Sequence, residues 1–285
     1  MSLSCEPTTC PDQKRLTDEG LIDFIEESAA KDKIECIDLK NALSCNITLQ
    51  SIYHLKQFRK LRSLSIHEHQ LNQSINCEPD SDKVNENLKN LTVEQDLLPD
   101  LCENSNYSLF TLSWLYPNVE NLNISAMIFY EKDINKTTKW RENIKVLQCE
   151  IDSFRRLNKV CKIFPNLENL IVLWDINDFS LPSFEDDLMI EKSKIQHLEI
   201  DCSHHISENT IRKLITHFPE LTHFKIILNR INNFWKKLIE ESSVNISVQK
   251  RVLSPRGAAG IGSIGSMEHT IFQRTLFKSI RTLPD

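Results

Sequence analysis

A short apolar motif recurs along most of this 285-residue chain, and it constrains the fold more than any other feature. The motif is an apolar residue, two free positions, a second apolar residue, one free position and a third apolar residue. Eight copies occur, and their first residues lie 23 to 31 positions apart. Those first residues are Ile34, Leu61, Leu88, Val119, Ile144, Leu167, Ile195 and Leu221. Such regular spacing indicates a repeat architecture rather than a chance pattern.

Each copy of the motif predicts a short strand, because its last two apolar positions alternate with polar ones. The segments between copies have helical spacing, as in Ile206, Ile211 and Leu214. Strands that alternate with helices imply parallel pairing with crossover connections. A period of this length is too short for a closed barrel and fits a stacked solenoid.

Prolines support the same division of the chain. Pro117, Pro165 and Pro219 each lie two residues before the first apolar position of the next motif. Because proline cannot continue a helix, each of them predicts a helix end and a turn toward the next strand.

Composition and the distribution of residue types argue against several classes of protein. The net charge is −6, which argues against a sequence-independent nucleic-acid binder. No apolar run reaches the roughly 20 residues of a membrane span, and the polar N-terminus lacks a secretion signal, so we expect a cytoplasmic or nuclear protein. Gly20 and Gly257 enclose an interval without glycine, which disfavours a nucleotide-binding loop there.

We therefore expect no cofactor, no metal and no catalytic residue. The nine cysteines lack paired spacing and are expected to be free thiols, with Cys149 buried in the core. The glycines at 260, 262 and 265 match a dinucleotide fingerprint, but only 20 residues follow them, too few for the fold that the fingerprint needs.

The repeat divides the chain into three parts. We predict a disordered N-terminus over 1–15, a repeat domain over 16–248 and a glycine-containing tail over 249–285. Within the domain, 16–27 reads as an amphipathic cap on the first repeat, about 72–87 as a flexible insertion, and 131–140 as a polar connection. The alternation of Val244, Ile246 and Val248 predicts an edge strand, and His269 to Ile280 predicts a short helix in the tail.

Several segments resemble leucine-rich-repeat proteins. Leu221 to Ile231 fits the consensus of that family, including its asparagine at Asn229. Ile200 to Leu214 and Leu16 to Leu21 look like the cysteine-containing subtype found in F-box leucine-rich-repeat proteins. The resemblance covers roughly residues 16 to 248.

The resemblance implies an α/β horseshoe of about eight repeats, with a parallel sheet on the concave side and helices on the convex side. The chain departs from the family in two respects. Most repeats lack the consensus asparagine, so no regular asparagine ladder is expected. No F-box is visible, because the repeats begin by Ile34.

In such a horseshoe the third and fifth motif positions point toward the concave side. The residue directly after the motif, called its seventh position below, points the same way. The second motif places Ser63, Ser65 and His67 there. The candidate binding residues come from the fourth to eighth motifs and are Asn121, Asn123, Val146, Gln148, Glu150, Asn169, Ile171, Leu173, His197, Glu199, Asp201, His223 and Lys225.

Three of these candidates are apolar side chains with no core to enter. Val146, Ile171 and Leu173 form a patch that Glu150, Glu199 and Asp201 are expected to rim, as in a protein-binding hot spot. The alternative is that a second layer or the tail covers the patch.

The sequence therefore predicts a protein that binds another protein and is not an enzyme. The resemblance implies recognition of a substrate or partner in ubiquitin-dependent turnover, with a ubiquitin-ligase adaptor as a further partner. One alternative is a scaffold or enzyme inhibitor outside ubiquitination, and another is an enzyme whose site the repeat pattern hides. Fold analogy alone does not decide among them.

Overall fold

A computed structural model describes residues 2–4, 17–27, 31–40, 47–67, 70, 84–94, 112–124, 138–151, 154–174, 193–202, 206–229 and 234–251. In this part of the chain ten strands form one sheet, in which every neighbouring pair is parallel and the spatial order equals the sequence order. The strands are β1 (Ser2–Ser4), β2 (Cys36–Asp38), β3 (Ser63–His67), β4 (Asn90–Glu94), β5 (Asn121–Ile124), β6 (Val146–Ile151), β7 (Asn169–Trp174), β8 (His197–Cys202), β9 (His223–Leu228) and β10 (Asn245–Lys250).

Helices connect several of these strands. They are α1 (Asp18–Glu27), α2 (Leu49–His54) with a 3-10 turn at Leu55–Gln57, α3 (Thr138–Asn143), α4 (Phe154–Ile163), α5 (Glu208–His217) and α6 (Phe234–Glu241). Residues 112–115 add a helical turn before β5. The chain is thus an α/β protein with a repeated, solenoid-like arrangement of strand and connection.

The predicted strands and their register are confirmed. The eight motifs form β2 to β9, and equivalent motif positions pair with one another, as Leu122 does with Leu147 and Leu170 with Leu198. A one-residue slip would move every core side chain to the other face of the sheet, so this register is strongly specified by the apolar pattern.

The core lies between one face of the sheet and the layer of helices. Leu122 is 2% exposed and Leu198 is 1% exposed, and they belong to one continuous cluster with helix residues such as Ile211 and Leu214. The helices therefore take their stability from apolar stripes that pack on the sheet.

Local signals explain where the helices begin and end. Thr48 caps α2 by accepting a hydrogen bond from the Gln50 amide, and Ser207 caps α5 by accepting one from the Thr210 amide. The turns at 117–118, 165–166 and 219–220 contain the three prolines, as the sequence predicts.

Asparagine side chains join successive repeats at a position different from the consensus one. The asparagine directly before the first apolar position donates to a carbonyl of the preceding repeat, in four consecutive repeats. The pairs are Asn87 with Arg59 (2.6 Å), Asn118 with Glu86 (3.1 Å), Asn143 with Pro117 (3.1 Å) and Asn166 with Glu142 (2.9 Å). An asparagine ladder thus forms, but at the start of the strand rather than at the consensus position after it.

The N-terminal region also differs from the prediction. Ser2–Ser4 is a strand that pairs with β2, within a segment predicted to be disordered. Helix α1 packs beside α2 instead of capping the edge of the sheet. Asp18 accepts hydrogen bonds from the Thr48 amide (2.8 Å) and hydroxyl (2.5 Å) and from the Ser51 hydroxyl, and these bonds hold the two helices together.

Two predicted loops contain ordered structure. Residues 84–87 belong to the predicted insertion, yet Asn85 is 3% exposed and donates to the Phe58 carbonyl at 2.9 Å. Helix α3 occupies part of the predicted polar connection, because Trp140 is 5% exposed and supplies it with an apolar anchor.

Strand β10 runs to Lys250, two residues past the predicted domain end at 248. The rest of the insertion, the predicted helix from 269 to 280 and the glycine fingerprint lie outside the described residues.

Candidate functional site

The sheet face that points away from the core carries all the predicted site residues, and we call it the open face. Along β6 the residues alternate between partly exposed and buried, with Val146, Gln148 and Glu150 in the partly exposed set. Strands β5 and β9 show the same alternation. The placement on alternate strand positions therefore agrees with the sequence prediction.

Three rows of side chains run across the open face at right angles to the strands. The third motif positions align Asn121, Val146, Asn169, His197 and His223. The fifth positions align Asn123, Gln148, Ile171, Glu199 and Lys225, and the seventh positions align Glu150, Leu173, Asp201 and Ile227. Residues far apart in sequence thus become neighbours on one surface.

The apolar residues of the open face lie near one another on β6, β7 and β9. Ile171 and Leu173 share strand β7, and Val146 lies diagonally from Ile171 on β6. Ile227 adds a fourth apolar side chain, separated from Leu173 by Asp201. All four are partly exposed. This group is called the apolar patch below.

Glu199 and Asp201, two residues predicted to rim the apolar patch, each pair with a basic side chain. Glu199 accepts a hydrogen bond from the Lys225 ammonium at 2.9 Å, and Asp201 contacts the guanidinium of Arg251 just beyond β10. Asp201 is only 9% exposed, which corrects its expected place on an open acidic rim. Arg251 reaches over the row that contains Ile227, so part of the patch is bordered by a cation as well as by acids.

Two stacked histidines extend the third-position row beside the patch. The rings of His197 and His223 are 4.6 Å apart at their centroids and inclined by 10°. Burial of the ring lowers the pKa of His197, the nearby His223 lowers it further, and Glu168 raises it. The stacked neighbour therefore disfavours the protonated form of His197, because two positive charges so close together would repel each other.

We predict that His223→Asn raises the pKa of His197, because the substitution removes the neighbouring ring that disfavours its protonation. A proton–carbon NMR titration of the imidazole signals measures this directly. In the native protein the pKa of His197 lies below its unfolded value of 6.5. The contribution of His197 to the free energy of unfolding is therefore fully present above pH 6.5 and is lost as the pH falls through the pKa of His197 in the folded protein. An unchanged His197 titration in the variant would show that the two rings are not coupled.

The other half of the open face is polar and internally bonded. Asn121 donates to Asn90 at 2.6 Å, and Lys40 pairs with Glu94 at 3.3 Å although they lie two strands apart. His67 occupies the strand between them and is 5% exposed, so its predicted exposure is wrong. Lys40, two residues beyond β2, and Glu94 in β4 pair across it.

Two of the cysteines among the described residues are unsuited to nucleophilic chemistry. Cys149 and Cys161 are buried, and burial raises the pKa of both thiols, to about 12 for Cys161. A thiol with a raised pKa is a poor nucleophile. In the described ranges no group of three or more histidine, cysteine or acidic residues is arranged to hold a metal ion.

Among the described helices, none has the length and apolar character needed to cross a membrane. Comparisons of this chain with protein-family models, with curated proteins and with solved structures gave no match. The described fold is a repeated parallel sheet with flanking helices, and its open face carries the candidate site.

Proposed function

We propose that this protein binds another protein through the open face of its sheet, with the apolar patch as the centre of the contact. The observation that carries this proposal is the position of Ile171 and Leu173, two large apolar side chains on the face away from the core. Because apolar side chains on that face do not pack in the core, they are suited to contact another molecule. Protein interfaces concentrate their binding energy in a few such central residues.

The surroundings of the patch also fit a recognition surface. Gln148 and Asn169 supply hydrogen-bonding groups on either side of the apolar residues, and the Glu199–Lys225 and Asp201–Arg251 pairs supply charge. A polar border around an apolar centre is the usual composition of a protein interface. The strands hold these side chains on a rigid frame, which lowers the entropy lost on binding.

The finer form of the proposal is recognition of a substrate or partner in ubiquitin-dependent turnover. It depends on the resemblance of Leu221 to Ile231 and Ile200 to Leu214 to F-box leucine-rich-repeat proteins, including the horseshoe shape of about eight repeats that this resemblance implies. In this form a ubiquitin-ligase adaptor binds elsewhere on the protein, and the open face binds the protein to be modified.

The test compares two double substitutions in the full-length chain. Ile171→Glu with Leu173→Glu places carboxylates in the patch, and Ser65→Glu with Thr92→Glu places them on the polar half of the same face. Partners are cross-linked in cells and quantified by mass spectrometry. We expect the patch variant to lose its main partner and the control to retain it, with thermal melts showing that both variants are folded. Loss of a binding hot spot costs about 2 kcal/mol or more, which corresponds to a roughly thirtyfold weaker complex.

Partners that bind the patch variant and the native protein equally would contradict the proposed site. The finer proposal has a separate outcome. A ubiquitin-ligase adaptor should co-purify with the native protein and with both variants, because its site lies away from the open face. A retained partner without any adaptor would contradict the role in ubiquitin-dependent turnover and leave the binding site itself supported.

A further inference from the structure

The last strand of the sheet buries its core-facing side chains less completely than the strand before it. Phe224 and Ile226 in β9 are 1% and 0% exposed. Their partners in β10 are Ile246, which is 7% exposed, and Val248, which is only partly buried. Among the described elements none stacks beyond β10, so this end of the core is less well covered.

The orientation of α6 leaves a second apolar group at the same end. Arg212 of α5 lies over the Phe234 ring at 5.7 Å and bonds Glu241 at 3.2 Å, so this flank of α6 faces the preceding repeat. With 3.6 residues per turn, Ile239 lies on the opposite flank. It is 45% exposed, and Phe24 is the one other large hydrophobic side chain with high exposure among the described residues.

Together Ile239, Val244, Ile246 and Val248 form an apolar surface at the C-terminal end of the solenoid, which we call the terminal surface. In stacked repeats the end units need a cover with a polar outer side, because the unit beyond them is missing. The chain continues for 34 residues after Arg251, which directly follows β10. The nearest candidate to cover the terminal surface is therefore this segment.

We propose that residues 269–283 dock on the terminal surface and complete the core there. Within this segment Phe272, Leu276, Ile280 and Leu283 recur at helical spacing and form one continuous apolar side of a helical projection. The opposite side carries Arg274, Lys278 and Arg281, with Ile271 and Phe277 at its margins. The continuous apolar side is the one suited to the core. The 17 residues from 252 to 268 connect Arg251 to this segment and can span up to about 55 Å. The length of this connection therefore does not prevent docking.

The proposal is independent of the partner site on the open face, and a photo-cross-linking experiment tests it in the full-length chain. Benzoylphenylalanine replaces Ile239, and in a matched protein it replaces Phe24, which lies at the other end of the sheet. After irradiation we expect the probe at position 239 to form an intrachain product with residues 269–283. The probe at position 24 should form no product with that segment.

A second pair of variants identifies the side of the segment that makes the contact. Leu276→Gln with Ile280→Gln should reduce the intrachain product about tenfold or more, because polar amides would be buried without partners. Arg274→Gln with Lys278→Gln introduces the same residue on the charged side and should leave the product unchanged. A product that joins two copies of the chain would assign the surface to a second molecule and overturn the proposal. Absence of any product with residues 269–283 would overturn it as well.

Discussion

Replacement of Leu122 by aspartate should unfold the protein, whereas replacement of its neighbour Asn123 should leave the fold intact. Leu122 is 2% exposed and lies between Leu91 and Leu147 in the core-facing row of the sheet. Truncation of a buried leucine alone costs about 2–5 kcal/mol. Burial of an unpaired carboxylate adds to that cost. A domain of this kind has roughly 5–15 kcal/mol of stability in total, so the variant should not remain folded.

Asn123→Asp provides the matched control, because it adds the same side chain one position later. Asn123 lies on the open face between Thr92 and Gln148, two uncharged neighbours that would not repel a carboxylate. Thermal unfolding followed by circular dichroism distinguishes the two variants. A native melting temperature for Leu122→Asp would contradict the register of β5, and a collapse of Asn123→Asp would contradict the exposure of its row.

Substitution of Asn85 should give the second large effect, although its side chain is polar. Its amide donates to the Phe58 carbonyl at 2.9 Å, and its side-chain oxygen accepts from the Asn87 amide at 2.9 Å and the Leu88 amide at 3.2 Å. With Asn85 3% exposed, alanine at this position leaves these groups with little access to water. Because each buried group without a partner costs about 1–3 kcal/mol, we expect Asn85→Ala to lower the free energy of unfolding by roughly 2–4 kcal/mol.

Asn87→Ala is the control for this prediction. Asn87 lies two residues away and is exposed, and within the described residues its side chain makes one hydrogen bond, to the Arg59 carbonyl. Water can replace that bond, so the expected loss is about 0.5–1 kcal/mol. Urea denaturation measures both free energies. Equal losses at the two positions would mean that the Asn85 side chain does not hold the second and third repeats together.

The strands and the core could be predicted from the sequence because they depend on local geometry. Side chains in a strand alternate between two faces, so the alternation along each strand predicts that Leu122, Leu147 and Leu170 are buried. This prediction does not require the positions of the neighbouring strands. The prolines at 117, 165 and 219 likewise act on their own backbone. The same periodicity placed Val146, Ile171 and Leu173 on the opposite face, and the structure agrees with that placement.

The contacts between repeats could not be predicted in this way. His67 is buried where Lys40 and Glu94, from the repeats on either side, pair across it. Asp201 is buried beside Arg251, which lies 50 residues later in the chain. Asn85 looked like part of a polar loop, since composition does not show that carbonyl and amide groups of the second and third repeats converge on it. One signal was present in the sequence, namely an asparagine directly before four successive motifs, but its bonding partner is visible only when the repeats are stacked.

The sequence by itself determined which residues form β2 to β10, which face of each of these strands enters the core and in what order they lie, whereas strand β1 at Ser2–Ser4 was not predicted. Those features depend on the period of the apolar residues and on the short connections between them, both of which are local properties. The tertiary structure alone decided which polar groups meet. Hydrogen bonds and ion pairs form over about 3 Å, so they depend on the offset between neighbouring strands and on side-chain rotamers that only the assembled sheet defines.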